Sequence, residues 1–404
     1  MSDPTPSAPL DGLRVIEMGA FIAGPYCGQL LADLGADVIK VEPPRTGDPM
    51  RQWGQATVDG QSLWWPVIAR NKRCVTLDLR TDEGQRLARE LVLGADVLVE
   101  NFRPGTLAKW NLDPAGLRAE KPGLIVAQVS GFGQTGPYRD RTGFAAIAEA
   151  MGGLRALTGF PDRPPARVGL SIGDTLAGMF AAIGVLASLV GKLRQEPGAG
   201  QTVDVAIVDS VLAVMESVIS EYSGAGALRE RTGTALNKIA PSNLYPTADG
   251  DLVVIAANAD TLFRHLADAM GRPELACDPR YRDHRARGEH QAELDALIAD
   301  WSQTLSRDEI LAILNERGVP VGPVYDAADI CADPNLRARG AIVEAETAFA
   351  GPILMQGIVP RLADAPGSVR WTGPALGEHN QAVYGGLLGL SDAELAGLSE
   401  RGVI

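Results

Sequence analysis

One aspartate in this chain stands where covalent chemistry is possible. Gly173 and Asp174 come directly before residues 175–191, a stretch without a charged side chain. Asp is a preferred N-cap, so the pattern predicts that Asp174 caps a helix over 175–191. The free N–H groups and the dipole of such a helix also keep a carboxylate ionised, which is the state that a nucleophile needs. From these residues alone, a structural cap and a nucleophile both stay open for Asp174.

An overlapping motif predicts a different chemistry. Residues 169–173, GLSIG, match the G-x-S-x-G pattern of α/β-hydrolases, in which Ser171 would be the nucleophile, and all 4 histidines lie downstream as that class requires. However, residues 160–167, FPDRPPAR, are poor strand material, and no HGGG-type segment precedes them. A serine hydrolase using Ser171 is the alternative from another enzyme class, and the surrounding sequence disfavours it.

A third motif suggests a dinucleotide site. Residues 131–136, GFGQTG, match the pattern G-x-G-x-x-G. Pro137 and a charged segment follow where the phosphate-binding helix should begin. Several predicted strands also precede the motif, whereas the dinucleotide fingerprint normally follows the first strand. The context therefore disfavours nicotinamide binding.

Cationic and amide side chains follow several predicted strands. Residues 100–105, ENFRPG, come directly after one strand, and Lys109 lies shortly beyond them. Arg45, Arg51 and Arg80 follow the ends of two others. Because open α/β sheets bind ligands beyond the carboxyl ends of their strands, these residues predict a site for an anionic ligand. A set of solvated surface arginines is the alternative.

Alternating strands and helices must position these residues. Strand patterns recur in the first half, with helical patterns between them, at 13–18, 37–42, 74–79, 96–100 and 124–129. This alternation is typical of parallel crossover units, so we expect an α/β fold with a Rossmann-like large domain. A change of composition at 223–245 and a strand at 252–255 predict a second, smaller domain. We place the N-terminal part of the large domain at 1–222, the small domain with its linkers at 223–325, and a C-terminal segment at 326–404.

Composition excludes several classes of function. The 37 Lys and Arg against 50 Asp and Glu give a net charge of −13, which disfavours a nucleic-acid-binding surface. The 4 cysteines have no paired spacing, which disfavours a disulfide framework or zinc site and fits a reducing compartment. The N-terminal residues lack a signal-peptide pattern, and the uncharged stretch is shorter than the roughly 20 residues of a membrane span. We expect a cytoplasmic protein without nucleic-acid or membrane partners.

Taken together, the motifs resemble those of the class III CoA-transferases. The matching segments follow one another along almost the whole chain: AGP at 23–25, LGADVIKVE at 34–42, GD at 47–48, NKR at 71–73, VENFRPG at 99–105, GQTGP at 133–137, GD at 173–174, GVP at 318–320 and LGEH at 376–379. The resemblance implies a Rossmann-like large domain, into which a smaller α+β domain is inserted and to which the C-terminal segment returns. It also implies an intertwined homodimer in which each chain threads through the other.

The resemblance also implies roles for individual residues. It makes Asp174 the covalent nucleophile. It places CoA against Arg45, Leu77, Asp78, Arg80, Asn101, Phe102, Arg103 and Lys109. It places the acid substrate near Ile22, Arg51, Phe144 and Arg231. The CoA thioester is then a substrate rather than a permanently bound cofactor, and no metal is implied.

Phe144 bears on the choice between branches of that family. Racemases carry a His at this place, and many transferases carry a Tyr followed by an acid, whereas this chain has Phe144-Ala145. Because Phe cannot take a proton, the chain lacks the usual base of a racemase. A racemase-like enzyme without that base is therefore only the alternative within the family. Residues 223–245 lack the glycine run that covers the intermediate in formyl-CoA transferase, which disfavours oxalate as acceptor. We therefore expect transfer of CoA from succinyl-CoA to a small dicarboxylate through aspartyl anhydride and aspartyl-CoA thioester intermediates.

Overall fold

The computed structural model describes residues 8–194 and 198–404, which form two compact units. The first unit takes in the described residues of Met1–Leu154, Val168–Ile219 and Asp333–Ile404, and the second takes in Arg155–Arg167 and Ser220–Ala332. The small domain predicted at 223–325 falls inside the second unit. Residues 155–167 also belong to that unit. The sequence analysis assigned them to the large domain, because a segment rich in Pro and Arg has no periodicity that indicates where it packs.

The elements are numbered in chain order. The strands are β1 (Arg14–Met18), β2 (Asp37–Glu42), β3 (Thr57–Val58), β4 (Gln61–Ser62), β5 (Lys72–Thr76), β6 (Val97–Glu100), β7 (Ile125–Ser130), β8 (Thr202–Ala206), β9 (Ser242–Pro246), β10 (Leu252–Ala256), β11 (Val321–Pro323), β12 (Ile342–Thr347) and β13 (Gly351–Gln356). The helices are α1 (Ala23–Asp33), α2 (Trp65–Ile68), α3 (Asp82–Leu93), α4 (Thr106–Lys109), α5 (Pro114–Glu120), α6 (Ala145–Met151), α7 (Leu154–Leu157), α8 (Ile172–Leu193), α9 (Ile207–Leu212), α10 (Val218–Ala225), α11 (Asp260–Ala269), α12 (His284–Glu289), α13 (Gln291–Ser302), α14 (Arg307–Glu316), α15 (Ala327–Ala332), α16 (Pro334–Ala338) and α17 (Asp392–Glu400). Short 3-10 turns occupy Pro49–Arg51 and Pro273–Cys277, and a π-helical turn occupies Gln381–Gly385.

The first unit is built on a six-stranded parallel sheet in the order β5-β2-β1-β6-β7-β8. This arrangement confirms the predicted α/β class. In register, Glu17 of β1 lies opposite Lys40 of β2 and Val99 of β6. The chain leaves β1 towards β2 on one side and later returns to β6 on the other, so the strand order reverses between β1 and β6. The crevice beyond the carboxyl ends of these two strands is where open α/β sheets hold their ligands.

Both faces of this sheet are covered by helices, and its strands place apolar residues on each face. On one face Ile16, Ile39 and Leu98 belong to a core closed by residues of α3, α5 and α17. On the other face Val15 and Val38 pack with residues of α1 and α8. Alternate residues of a strand point to opposite faces, so continuous apolar runs are what a parallel sheet covered on both sides requires.

The C-terminal segment completes the first unit. The Tyr384 hydroxyl donates a hydrogen bond to Thr76 O at 2.9 Å, and Asp78 N–H donates to Val403 O at 2.7 Å. The indole of Trp65 donates to Pro374 O at 2.8 Å. Residues far apart in sequence therefore hold the end of β5 and the loop that follows it.

The second unit has its own core. Its three strands form an antiparallel sheet in the order β11-β10-β9, and the core combines residues of these strands with residues of α11, α13 and α14. Arg287 is fully buried there, and its Nη2 lies 2.7 Å from Asp260 Oδ1.

Candidate active site

Asp174 lies in the first turn of α8. This helix begins at Ile172, so Ser171 takes the N-cap position and Asp174 is the third helical residue. The prediction that Asp174 is the N-cap is therefore wrong. A Cβ on Gly173 would lie 3.3 Å from both Glu149 Cγ and Ile207 Cγ2, so tight packing against α6 and α9 holds this glycine in the helix despite its poor helix propensity. An acid in the first turn is still favoured by the helix dipole.

Glu149 is a candidate functional residue that the sequence analysis missed. Its side chain is only 1% exposed, and its Oε1 accepts a hydrogen bond from Gly173 N–H at 3.4 Å. A buried carboxylate of α6 thus lies against the residue that precedes Asp174. The only signal in the sequence is the spacing of Ala145, Ala148 and Glu149, which fits one face of a helix; the structure shows that all three are buried. An acid on an otherwise apolar helical face deserves a functional explanation.

Asn101 links the loops that follow β1 and β6. Its Oδ1 accepts a hydrogen bond from Ala20 N–H at 3.0 Å, and its Nδ2 donates to Ala20 O at 2.8 Å. A Cβ on Gly19, which has φ +147°, would lie 1.9 Å from Asn101 Oδ1, so this contact requires glycine. Asn101, which the family resemblance assigned to CoA binding, therefore lies at the crevice between β1 and β6.

Glu100 fixes the next residue along the same loop. Its Oε2 accepts a hydrogen bond from Phe102 N–H at 2.8 Å, and its Oε1 accepts one from Gln128 Nε2 at 2.8 Å. Burial raises the pKa of the Glu100 carboxyl to about 7, and these two hydrogen bonds only partly oppose that effect. The backbone of the predicted CoA-binding segment thus depends on a carboxyl that titrates near neutral pH.

Three aromatic side chains form a cluster beside the loop that follows β1. The Phe21 ring packs edge-on against Trp53 at 5.2 Å and against Phe144 at 6.3 Å between ring centroids. Trp53 is 46% exposed and Phe144 is 65% exposed, so this aromatic cluster of Phe21, Trp53 and Phe144 is accessible to solvent. Phe144 is also the N-cap residue of α6, the helix that carries Glu149. The aromatic cluster and Asp174 are therefore connected through α6.

The other residues assigned to the acid substrate occupy different settings. Ile22 is buried in an apolar cluster. Arg51 forms an ion pair with Glu42, Nη2 to Oε1 at 2.7 Å, and its guanidinium lies 3.8 Å above the Trp65 ring. These contacts favour a structural role for Arg51, and its contact with substrate stays a prediction. Arg231 belongs to the second unit, where it donates to the carbonyl oxygens of Phe160, Ala156 and Arg163.

The remaining residues assigned to CoA lie beyond the carboxyl ends of β2, β5 and β6. Asp78 and Arg80 pair at 2.8 Å, and the hydrogen bond from Arg80 lowers the pKa of the Asp78 carboxyl. Leu77 is buried in the core of the first unit. Arg45 helps to line a cavity of about 440 Å³ together with Thr76 and the C-terminal residues 399–402 and 404.

The last two cations assigned to CoA follow β6. Arg103 and Lys109 are exposed, and Lys109 is the last residue of α4. The structure thus brings Asn101 and Phe102 to the crevice between β1 and β6, whereas the side chains of Arg103 and Lys109 are exposed to solvent. Their contact with CoA stays a prediction.

The two rejected motifs lack the elements that their chemistry needs. Residues 160–171 contain no strand, so Ser171 does not stand on the strand-to-helix turn of a nucleophile elbow. No helix begins directly after residues 131–136, and the next one is α6 at Ala145. Within the described residues, no group of three His, Cys, Asp or Glu side chains is arranged to hold a metal ion.

α8 also satisfies a test for membrane-spanning helices. It is the one helix among residues 8–194 and 198–404 that is long and apolar enough to cross a membrane, judged by length and composition only. A single helix of this kind is weak evidence, because core helices of soluble proteins satisfy the same criteria.

Comparison with known proteins adds an independent line of evidence. A family model described as CoA-transferase family III matches residues 10–380. The chain is 57% identical to the succinyl-CoA–D-citramalate CoA-transferase of Chloroflexus aurantiacus over the full length of both proteins. It is 38% identical to the succinate–glutarate CoA-transferase of Agrobacterium fabrum, over 94% of this chain and 96% of that protein. A solved structure of a CAIB/BAIF family protein from Brucella suis matches with a TM-score of 0.83 and 38% identity, covering 96% of this chain and 100% of the other.

Proposed function

Because the chain belongs to CoA-transferase family III, we propose that it transfers CoA from succinyl-CoA to a small dicarboxylic acid, with D-citramalate as the first acceptor to test. The observation that carries this proposal is the 57% identity, along the full length of both chains, to an enzyme named for that donor and that acceptor. The second relative, named for succinate and glutarate, also acts on two dicarboxylic acids.

The proposed nucleophile is Asp174. One of its carboxylate oxygens attacks the thioester carbon of succinyl-CoA, the C–S bond breaks, and a mixed aspartyl-succinyl anhydride and CoA thiolate result. A thiol pKa near 8.5 makes the thiolate a good leaving group, so a carboxylate is a sufficient nucleophile and no general base is required. The thiolate then attacks the aspartyl carbonyl carbon, which releases succinate and leaves an aspartyl-CoA thioester.

The second half of the reaction repeats these steps with the acceptor. A carboxylate oxygen of the acceptor attacks the aspartyl-CoA carbon and expels the thiolate, which gives a second mixed anhydride. The thiolate attacks the acceptor carbon of this anhydride, so that the acceptor leaves as its CoA thioester and Asp174 is again a carboxylate. Both halves pass through oxyanions, and we assign their stabilisation to backbone N–H groups of the first turn of α8, which carries Asp174.

The geometry supports two further parts of the proposal. Asn101 and Phe102 lie at the crevice between β1 and β6, where a CoA substrate would be held. The face of α8 that carries Met179, Ile183 and Val190 is exposed although these side chains are apolar. We assign this face to a second copy of the chain in a homodimer, in line with the family resemblance, and we place the protein in the cytoplasm, in line with its four free cysteines.

A matrix of donors and acceptors tests the proposed function. Purified protein is incubated with succinyl-CoA, acetyl-CoA or butyrobetainyl-CoA and with D-citramalate, L-malate, glutarate, itaconate, oxalate or a monocarboxylate, and new CoA thioesters are identified by mass spectrometry. We expect the fastest transfer from succinyl-CoA to D-citramalate or another C4–C5 dicarboxylate. Transfer to monocarboxylates alone would overturn the assignment of the substrate class, and racemisation of a 2-methylacyl-CoA without CoA transfer would favour the racemase alternative.

A further inference from the structure

We propose that the buried ion pair between Lys40 and Asp48 is a positioning device for the active site, because it holds Phe21 in the backbone conformation that orients the aromatic cluster towards the acyl group. This inference rests on the proposed function, since it assigns the aromatic cluster of Phe21, Trp53 and Phe144 to the acyl-transfer site. Neither Lys40 nor Asp48 is assigned a role by the sequence motifs or by the comparisons.

Lys40 and Asp48 are both 1% exposed, and their Nζ and Oδ2 atoms lie 2.8 Å apart. Lys40 Nζ also lies 2.8 Å from Glu17 Oε1 and donates to Gly19 O at 3.1 Å. The ammonium group therefore connects two buried carboxylates to the backbone of the loop that follows β1. Lys40 lies on β2, which pairs with β1 in the sheet, so its side chain reaches the loop after β1 from the neighbouring strand.

The second oxygen of Asp48 acts directly on that loop. Asp48 Oδ1 accepts hydrogen bonds from Phe21 N–H at 3.2 Å and from Met50 N–H at 2.9 Å. Phe21 has φ +65°, in the left-handed region that non-glycine residues rarely occupy. A strained conformation persists only where the surroundings determine it, and strained residues cluster at functional sites. Here the determinant is a carboxylate whose other oxygen is fixed by a buried cation.

The orientation of the Phe21 ring follows from this backbone conformation. The ring contacts Trp53 and Phe144, and Phe144 begins the helix whose Glu149 binds Gly173 beside Asp174. On the other side, Ala23 O, two residues after Phe21, lies 2.7 Å from the point that a Cβ on Gly178 would occupy, one helical turn beyond Asp174. Phe21 is thus connected to the first turns of α8 by two independent paths.

The buried ion pair between Lys40 and Asp48 is better suited to fixing the geometry of Phe21 than to stabilising the fold. Buried ion pairs are weak contributors to stability because desolvation opposes their attraction, but they enforce a specific geometry when every polar atom must stay paired. Burial by itself raises the pKa of the Asp48 carboxyl, yet Lys40 and the N–H groups of Met50 and Phe21 outweigh it and lower that pKa. Asp48 therefore remains an ionised acceptor for Phe21 N–H across the physiological pH range.

The variants Lys40→Met and Phe21→Gly test the proposal against a matched control. Lys40→Met removes the cation that fixes Asp48. Phe21→Gly keeps the N–H donor and removes the ring, and glycine adopts φ +65° without strain. This variant remains informative if Lys40→Met does not fold. The control is Asp33→Asn, which weakens a different buried ion pair of the same unit, between Asp33 and Arg70 at 2.6 Å, at the far end of α1.

Each variant is measured for melting temperature, for kcat and KM with succinyl-CoA, and for the rate at which a covalent adduct forms at Asp174. We expect Lys40→Met and Phe21→Gly to lower kcat and the adduct rate by 10-fold or more with KM changed less than about 3-fold, whereas Asp33→Asn lowers the melting temperature with kcat changed less than 2-fold. Equal losses of kcat in Phe21→Gly and Asp33→Asn, or a wild-type rate in Phe21→Gly, would overturn the positioning role while the wild-type enzyme remains an active transferase. A wild-type protein that is inactive with every donor would overturn the proposed function and this inference with it.

Discussion

The carboxylate of Glu149 accepts a hydrogen bond from Gly173 N–H, so a buried acid of α6 contacts the residue directly before Asp174. Gly173 packs tightly at this point, because a Cβ would lie 3.3 Å from Glu149 Cγ and one of the two would have to shift. The first turn of α8 and the middle of α6 are therefore fitted to each other at the proposed nucleophile. Loss of the Glu149 carboxylate should therefore alter the backbone setting of Asp174.

This relationship predicts different outcomes for two substitutions of Glu149. Glu149→Gln keeps an oxygen that can accept from Gly173 N–H, so kcat should stay within about 5-fold of wild type. Glu149→Ala leaves a buried N–H unsatisfied, which costs about 1–3 kcal/mol of stability and loosens the first turn of α8. Thermal unfolding and steady-state kinetics would measure both effects, with kcat of Glu149→Ala expected to fall at least 10-fold. A Glu149→Ala enzyme with wild-type kcat would contradict this role.

Glu100 predicts how stability depends on pH. Burial raises the pKa of this carboxyl from 4.5 to about 7, so the folded protein binds a proton more tightly than the unfolded chain does. The tighter proton binding of the folded protein stabilises it. This stabilisation is fully present below the pKa of the unfolded chain, near 4.5, and is lost as the pH rises through about 7. Glu100→Gln lacks this titration, and its amide can accept from Phe102 N–H and donate to Gln128.

The stability of Glu100→Gln relative to wild type should therefore rise by about 2 kcal/mol between pH 5 and pH 8. Urea unfolding of both proteins across this pH range would measure the difference. A difference that is constant with pH, or that falls as the pH rises, would contradict the assignment of a raised pKa to Glu100.

The sequence predicts most of the sheet because its signals are local. Strands such as β6 and β7 are largely apolar runs, and their alternation with helices predicts parallel pairing. The start of α8 could not be predicted in the same way. Local propensity favours Asp174 as the N-cap, but Glu149 and Ile207, which are distant in sequence, pack against Gly173 and extend the helix to Ile172.

The candidate site shows the same division between local and distant signals. Asn101 and Asp174 stand in recognisable motifs, so the sequence identifies them. The role of Asp48 as acceptor for Phe21 N–H depends on a loop that brings residues 21 and 48 together. Neither residue type indicates that contact in the sequence. Arg51 shows the converse limit, since a cation after a strand suggested a ligand contact, and nothing in the sequence indicated its ion pair with Glu42.

The exposed face of α8 predicts the oligomeric state. Met179, Ile183 and Val190 are spaced along one side of the helix and are 42%, 56% and 54% exposed. Exposed apolar patches of this kind mark interaction sites, so we expect a homodimer whose light-scattering mass is twice that of the chain and does not fall on dilution. Ile183→Glu should lower the dimer fraction or the yield of folded protein. A monomer that appears reversibly on dilution would contradict a threaded dimer.

Asp174 allows the decisive test, because its carboxylate can be removed while its place in α8 is kept. Asp174→Asn retains the size of the side chain, and the loss of a first-turn charge beside the helix dipole costs about 0.3–1 kcal/mol, so it should fold normally. Neither Asn nor Ala can form the anhydride, so Asp174→Asn and Asp174→Ala should both lose CoA transfer by several orders of magnitude. Ser171→Ala is the matched control, since Ser171 makes no side-chain cap bond and a transferase has no use for its hydroxyl, whereas a serine hydrolase requires it.

Trapping connects the loss of turnover to the covalent step. Wild-type enzyme incubated with succinyl-CoA and then with hydroxylamine or borohydride should carry a modification at Asp174 that peptide mass spectrometry locates, and both Asp174 variants should carry none. Because Asn can deamidate to Asp, the mass of the Asp174→Asn protein must be verified after the assay. Full transfer by intact Asp174→Asn enzyme would exclude the aspartyl anhydride, since an amide side chain has no carboxylate oxygen with which to attack the thioester.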